Sequence, residues 1–130
     1  MGWQNVLAVI AGGGIGSLIR YAMTFAMTQR LGPGFPWATL LINVTGSFVI
    51  GVVAEVLQTR ALASAPVVRV FLMTGVLGGY TTFSSFSYET LTLGREGDAM
   101  LAFAYAAGSV VLGVLAALCG AALARTVSTA

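Results

Sequence analysis

Residues 79–90 read GYTTFSSFSYET, a stretch in which eight of the twelve side chains carry a hydroxyl group. It lies inside a long apolar run, where hydrocarbon would offer those hydroxyls no hydrogen-bond partner. Glycines at positions 75, 78 and 79 come just before it, and a glycine in a helix interior costs about 1 kcal/mol relative to alanine. The stretch therefore predicts a membrane-spanning helix that is broken near residues 75–82, with its freed backbone groups buried in protein or lining a cavity.

Four long apolar runs divide the chain, at residues 6–27, 37–57, 67–93 and 99–123. A helix needs about 20 residues to cross the hydrocarbon core, so each run can span a membrane. The composition agrees, because 58% of the 130 residues are hydrophobic and 8% are charged, against roughly 25% charged in a soluble domain. All 3 prolines fall between the runs, where they do not interrupt a helix. The sequence predicts an all-α integral membrane protein with one transmembrane domain over residues 1–130.

The charged and reactive side chains exclude several classes of function. The net charge of +2 comes from 6 arginines and 4 acidic residues scattered along the chain, whereas nucleic-acid binding needs clustered positive charge. There is no histidine and a single cysteine, Cys119. One chain can therefore form neither a His/Cys metal site, nor a Cys–His nucleophile pair, nor an internal disulfide. The sequence predicts a protein that is not an enzyme and does not bind nucleic acid.

The arginines also bear on how the chain is oriented in the membrane. With four spans both ends lie on one side, and the connections near residues 28–36, 58–66 and 94–98 are too short to hold a domain. A clear excess of basic residues on one side of the membrane normally fixes orientation. Here one side has three arginines and the other has two or three. We therefore expect insertion in both orientations and antiparallel twofold dimers. The arginines are Arg60, Arg69 and Arg125 on the side of the termini, and Arg30, Arg95 and, within the first span but nearer that end, Arg20 on the other.

Polar and small residues recur at four-residue steps in the second and fourth spans, which places them on one face of each helix. Such residues can hold helices together through hydrogen bonds worth about 0.6 kcal/mol each, and this interpretation stays open for Ser47 and Ser109. Asn43 is harder to explain in this way, since its amide brings two donors and a carbonyl to satisfy in mid-membrane. The residues are Thr39, Asn43, Ser47 and Gly51 in the second span and Tyr105, Ser109 and Gly113 in the fourth.

These faces and the hydroxyl-rich stretch outline a candidate ion path made of neutral donors and aromatic rings. Phe83 and Phe86 lie three residues apart, on one side of the resumed helix, where they serve either packing or the path. A ring edge carries the positive end of the quadrupole and can face an anion, and neutral donors bind an anion without trapping it. The path therefore favours a small, strongly hydrated anion. Its candidate residues are Thr39, Asn43, Phe83, Ser84, Phe86, Tyr105 and Ser109.

Three further features have structural as well as functional interpretations. Gly12 and Gly16 form a GxxxG pattern that predicts close helix packing. Arg20, inside the first span, either pairs with an acid, faces a water-filled vestibule or extends toward the membrane surface. Glu55 and Glu89, near span ends, are expected to be solvated or paired with arginine.

Three segments carry a resemblance to a known family: GVLGGYTTFSSFSYE at residues 75–89, TLLINVTGSFVIG at residues 39–51 and GGGIGSLIR at residues 12–20. In length, span number and motif order the chain resembles the fluoride channels of the Fluc family, also called CrcB. The resemblance implies a dual-topology homodimer of antiparallel subunits that exports fluoride passively through two pores. It also implies a location in a bacterial-type inner membrane and a role in fluoride resistance.

The resemblance implies roles for individual residues as well. Asn43 would donate to fluoride, and Phe83 and Phe86 would present ring edges along the path, with one subunit's Phe serving a pore lined mainly by the other. The polar residues of the fourth span would continue the track. Arg20 would raise the local anion concentration at the aqueous entrance.

The resemblance also implies a cofactor. Carbonyl groups freed at a helix break are hard oxygen ligands suited to a small cation. On the resemblance, the backbone carbonyls of Gly78 and Thr81, contributed by both subunits, would hold a central structural sodium ion.

Two other functions fit a small four-span protein. A dual-topology multidrug antiporter has the same size and the same weak charge bias, but that class couples export to protons through a carboxylate in its first span. Residues 6–27 contain no Asp or Glu. A purely structural membrane protein would leave the hydroxyl-rich stretch and Asn43 without a purpose. The fluoride channel is the function that the sequence favours.

Overall fold

The computed structural model describes residues 2–58 and 65–128, and four of its helical spans are long and apolar enough to cross a membrane. The predicted all-α architecture is confirmed, with no strand among these residues. The connection that carries Arg60, on which part of the charge count rests, lies outside the described residues. The spans are α1 (Trp3–Leu31), α2 (Trp37–Val56), a composite third span (Pro66–Arg95) and α6 (Ala99–Ser128).

A break divides the third span at Thr81 and Thr82, whose backbone is extended, with ψ angles of 158° and 118°. The interruption therefore falls at the end of the interval 75–82, while the residues before it remain helical. The Thr82 hydroxyl oxygen caps the resumed helix by accepting the N–H of Ser85 at 3.2 Å, which satisfies one of the donors that a helix start leaves free. In order, the segments of the third span are α3 (Pro66–Arg69), a π-helix (Val70–Leu77), α4 (Gly78–Tyr80) and, after the break, α5 (Phe83–Arg95).

Glycines let α1 and the first half of the third span approach to backbone contact. A Cβ atom on Gly12 would lie 2.6 Å from the carbonyl oxygen of Phe71, and one on Gly16 would clash with the carbonyl of Val76. The predicted packing face of Gly12 and Gly16 is thereby confirmed. Gly75, which the sequence marks as a helix-weakening residue, belongs to the same contact, because a Cβ there would lie 3.0 Å from backbone atoms of α1.

The second and fourth spans pack on each other in the same manner. Gly51 on α2 and Gly120 on α6 each lie directly against the backbone of the other helix. An ion pair of 3.0 Å between Arg125 Nε and Glu55 Oε2 also joins the two helices, which confirms the arginine partner expected for Glu55. Before the break, the third span packs closely on α1. After the break, its segment α5 packs mainly on α6 instead.

Candidate functional site

A groove of about 410 Å³ lies beside the break, between α2, the third span and α6. Every side chain that lines it within the described part of the chain is uncharged. The groove offers amide and hydroxyl groups, aromatic rings and backbone carbonyls on an otherwise apolar wall. Of the residues singled out from the sequence, it brings together Asn43, Ser47, Gly78, Thr81, Phe83, Phe86, Ser109 and Gly113.

The Asn43 amide is bound to the backbone of the break at both ends. Its Nδ2 donates to the carbonyl oxygen of Thr82 at 3.0 Å, and its Oδ1 accepts the N–H of Thr82 at 2.9 Å. The bond to Oδ1 replaces the Gly78 carbonyl, which the N–H of Thr82 would reach in a continuous helix. The amide nitrogen has two hydrogens, so one donor is left for a ligand in the groove. The sequence indicated a polar role for Asn43 but not this partner.

The carbonyl oxygens of Gly78 and Thr81 have lost their helical donors. In a continuous helix Gly78 would accept from the N–H of Thr82, and Thr81 from that of Ser85. Here the N–H of Thr82 goes to Asn43 and that of Ser85 to the Thr82 hydroxyl. Both carbonyls are hard oxygen ligands, and Gly78 is exposed on the groove. The pair therefore fits the chemistry of a small cation.

The two phenylalanines of the hydroxyl-rich stretch have different surroundings. The side chain of Phe83 is 78% exposed, whereas Phe86 is half-buried and packs against the cluster that contains Tyr105. The ring centroids of Phe83 and Phe86 are 5.5 Å apart, and those of Phe86 and Tyr105 are 5.4 Å apart. Phe86 thus connects the groove to the fourth span, while most of the surface of the Phe83 side chain is not covered by other residues of the same chain.

A second polar cluster is centred on Glu89, closer to the end of the third span. Thr39 Oγ1 donates to Glu89 Oε1 at 2.6 Å, and the Tyr105 hydroxyl donates to Glu89 Oε2 at 2.7 Å. Thr39 and Tyr105 are 5% and 2% exposed. The arginine partner expected for Glu89 as one alternative is not found among the described residues, because α5 turns this half-buried carboxylate toward α2 and α6, where two hydroxyls are its donors.

A smaller cavity of about 270 Å³ lies beside this second cluster, against the connection between α1 and α2. Glu89 lines it together with Phe35, a residue that the sequence did not single out. The Phe35 ring lies edge-on to Tyr105, with centroids 5.5 Å apart and an interplanar angle of 83°. The sequence gives no signal for this role, since Phe35 follows no periodic pattern in its Gly/Pro-rich connection. The ring contact with Tyr105 is what identifies it.

Three further candidate residues, Ser109, Ser84 and Arg20, differ in their surroundings. The Ser109 hydroxyl is buried in the groove and has no hydrogen-bond partner among the described residues, a situation that costs about 1–3 kcal/mol unless a ligand or another chain supplies one. Ser84 is exposed beside the break, with its hydroxyl 3.3 Å from that of Thr82. Arg20 is half-buried on α1 and lines neither cavity.

Comparison with known proteins gives a consistent result over the whole chain. The family model described as CrcB-like protein, Camphor Resistance (CrcB), matches residues 7–121. The fluoride-specific ion channel FluC of Rhizobium meliloti (strain 1021) is 50% identical over 122 residues, which cover 94% of this chain and 97% of that protein. Proteins of the same name from Nitrobacter winogradskyi and Rhodospirillum centenum are 47% and 48% identical, over 98% and 95% of this chain and 100% and 97% of their own lengths.

Proposed function

This chain belongs to the CrcB-like family, and we propose that it is a fluoride-specific ion channel that lets fluoride leave a bacterial cell passively across the inner membrane. The observation that carries the proposal is the groove beside the break, where neutral donors and phenyl rings meet on an uncharged wall. Fluoride is small and strongly hydrated, so it needs close donors to replace its water. An uncharged lining provides them and still allows the ion to leave.

The residues of the groove would act in sequence on an ion that passes along it. The free donor of the Asn43 amide and the unpartnered hydroxyl of Ser109 would each take the place of water. As the ion moves between these donors, the ring edges of Phe83 and Phe86 would attract it weakly. Tyr105 and Thr39 would border the path near the smaller cavity without donating to the ion, since their hydroxyl hydrogens go to Glu89. Arg20 would attract anions at an aqueous entrance.

A structural sodium ion would occupy the break. The carbonyls of Gly78 and Thr81 are the oxygens that the diverted N–H groups leave free, and one chain supplies too few of them to surround a cation. The ion would supply a fixed positive charge that offsets the carbonyl dipoles of two subunits. The role of the chain is to hold these carbonyls in place, and Asn43 does so by binding Thr82.

An antiparallel homodimer would complete the path, because one chain does not enclose it. Phe83 projects from the single chain beside the break, where a second copy related by a twofold axis would cover it. Two equivalent pores follow from that symmetry. The nearly even distribution of arginines between the two sides permits both orientations.

A C-terminal tag should therefore be accessible from both sides of the membrane, in about equal amounts. The measurement is protease access to the tag in sealed cells and in inverted vesicles of the same preparation, with a tagged protein of fixed orientation as the control. Tags that are cleaved from one side only would contradict the antiparallel assembly.

Fluoride efflux from liposomes tests the function itself. The purified protein is reconstituted with fluoride and chloride inside, and a potassium ionophore clamps the voltage. At equal pH on both sides we expect rapid release of fluoride and little release of chloride. Absence of fluoride release from folded, dimeric protein would return the antiporter and the structural protein to consideration.

A further inference from the structure

Contacts from α2 hold the third span on both sides of Thr81. Before the break, the Tyr80 hydroxyl lies 2.9 Å from Thr45 Oγ1. After the break, Asn43 binds both backbone groups of Thr82. Thr45 Oγ1 already donates, at 2.6 Å, to a backbone carbonyl one turn earlier in α2. A hydroxyl has a single hydrogen, so Tyr80 is the donor in its pair with Thr45.

At Thr81, which lies between these two contacts on the third span, the facing residue of α2 is a glycine. A Cβ atom on Gly46 would lie 3.2 Å from Cδ1 of Tyr80 and would clash with the side-chain methyl of Thr81. The Tyr80 ring therefore rests directly on α2, and its hydroxyl extends along the helix to Thr45. Through Thr45, Gly46 and Asn43, α2 contacts three consecutive residues of the third span.

These contacts matter because the backbone of the break has few restraints of its own. The carbonyls of Gly78 and Thr81 have no helical donors to fix their directions. A hard cation needs several oxygens to point to one centre at the same time. Tyr80 is the last residue of α4, which begins at Gly78, and it directly precedes Thr81. Its bond to Thr45 therefore fixes the backbone between the two carbonyls.

We propose that Tyr80 is a positioning residue for the sodium site. By donating to Thr45, it holds the backbone of Gly78 and Thr81 in the conformation that binds the ion. The inference rests on the sodium site of the proposed function. It assigns the role to the hydroxyl group, because a phenylalanine at this position would keep the ring contact with Gly46.

The test is the sodium dependence of thermal stability in Tyr80→Phe. The melting temperature of the purified protein is measured against sodium concentration, with an organic cation keeping the ionic strength constant. The sodium midpoint, the concentration at which the site is half occupied, is read from the onset of the logarithmic rise in melting temperature with sodium. We expect it to increase about fivefold, as for the loss of one net intramolecular hydrogen bond. Tyr88→Phe is the matched control, since it removes a hydroxyl from the 70% exposed Tyr88 of the same span and should leave the midpoint unchanged.

A pair of variants at Thr45 gives an independent measurement. Thr45→Val should shift the sodium midpoint as Tyr80→Phe does, and Thr45→Ser should keep the wild-type midpoint because it retains the acceptor. If the wild type responds to sodium and neither Tyr80→Phe nor Thr45→Val shifts the midpoint, the inference is wrong and the proposed function stands. If wild-type stability does not depend on sodium while fluoride efflux is normal, both the sodium site and this inference are contradicted.

Discussion

Replacing Asn43 with Asp lowers fluoride efflux by roughly three orders of magnitude. A carboxylate about 4 Å from a passing anion costs ~4 kcal/mol at the effective dielectric constant of a protein surface, and it also lacks the free amide donor. Negative charge would in addition face the carbonyl of Thr82, to which Nδ2 now donates at 3.0 Å. The measurement is initial efflux from liposomes that contain equal amounts of dimeric protein.

Two further variants separate charge from the loss of the amide. Asn43→Ala removes the donor without adding charge, so its efflux should lie between those of the wild type and Asn43→Asp. Gln58→Glu makes the same chemical change at the end of α2, away from the groove, and should conduct normally. Normal efflux through Asn43→Asp would place the pathway elsewhere in the molecule.

Replacing Phe83 or Phe86 with Ile lowers fluoride efflux by roughly five- to tenfold, while the dimer survives. Isoleucine keeps the apolar bulk and removes the ring edge, a contribution on the order of 1 kcal/mol. The Phe83 variant is the cleaner test, since that side chain is 78% exposed in the single chain. Phe86→Ile also removes the ring contact with Tyr105, so its melting temperature is measured beside its efflux.

Phe103→Ile provides the matched control for the ring variants. Phe103 is 71% exposed on α6 and lines neither cavity, so its replacement should leave efflux unchanged. If efflux is also unchanged in Phe83→Ile and Phe86→Ile, the two rings serve packing alone.

The spans and the break could be predicted from the sequence because each depends on local composition. Length and hydropathy define four crossings, and the hydroxyls and glycines of residues 75–90 are incompatible with a continuous lipid-facing helix. Glycine, however, has two uses that composition does not distinguish. Composition predicts that Gly75 weakens the helix, but Gly75 also lets α1 and the third span touch, as Gly12 does from the other side.

The partners of the polar groups could not be predicted, because they depend on how the helices are rotated against each other. The spacing of Thr39 and Asn43 places both on one face of α2, yet Thr39 binds Glu89 and Asn43 binds the backbone of Thr82. A carboxylate near a span end is expected to meet water or arginine. Only the packing of α5 on α2 and α6 shows that two hydroxyls donate to Glu89 where an arginine could have done so.

The most direct test of passive fluoride conduction is the reversal potential across a planar bilayer. With a tenfold fluoride gradient and equal pH on both sides, a fluoride-selective channel reverses at about 59 mV, with the sign of an anion current, and an added chloride gradient does not shift it. A pH gradient at equal fluoride should produce no current. A reversal potential that follows the chloride or pH gradient, or the absence of current from folded dimer, would contradict the account.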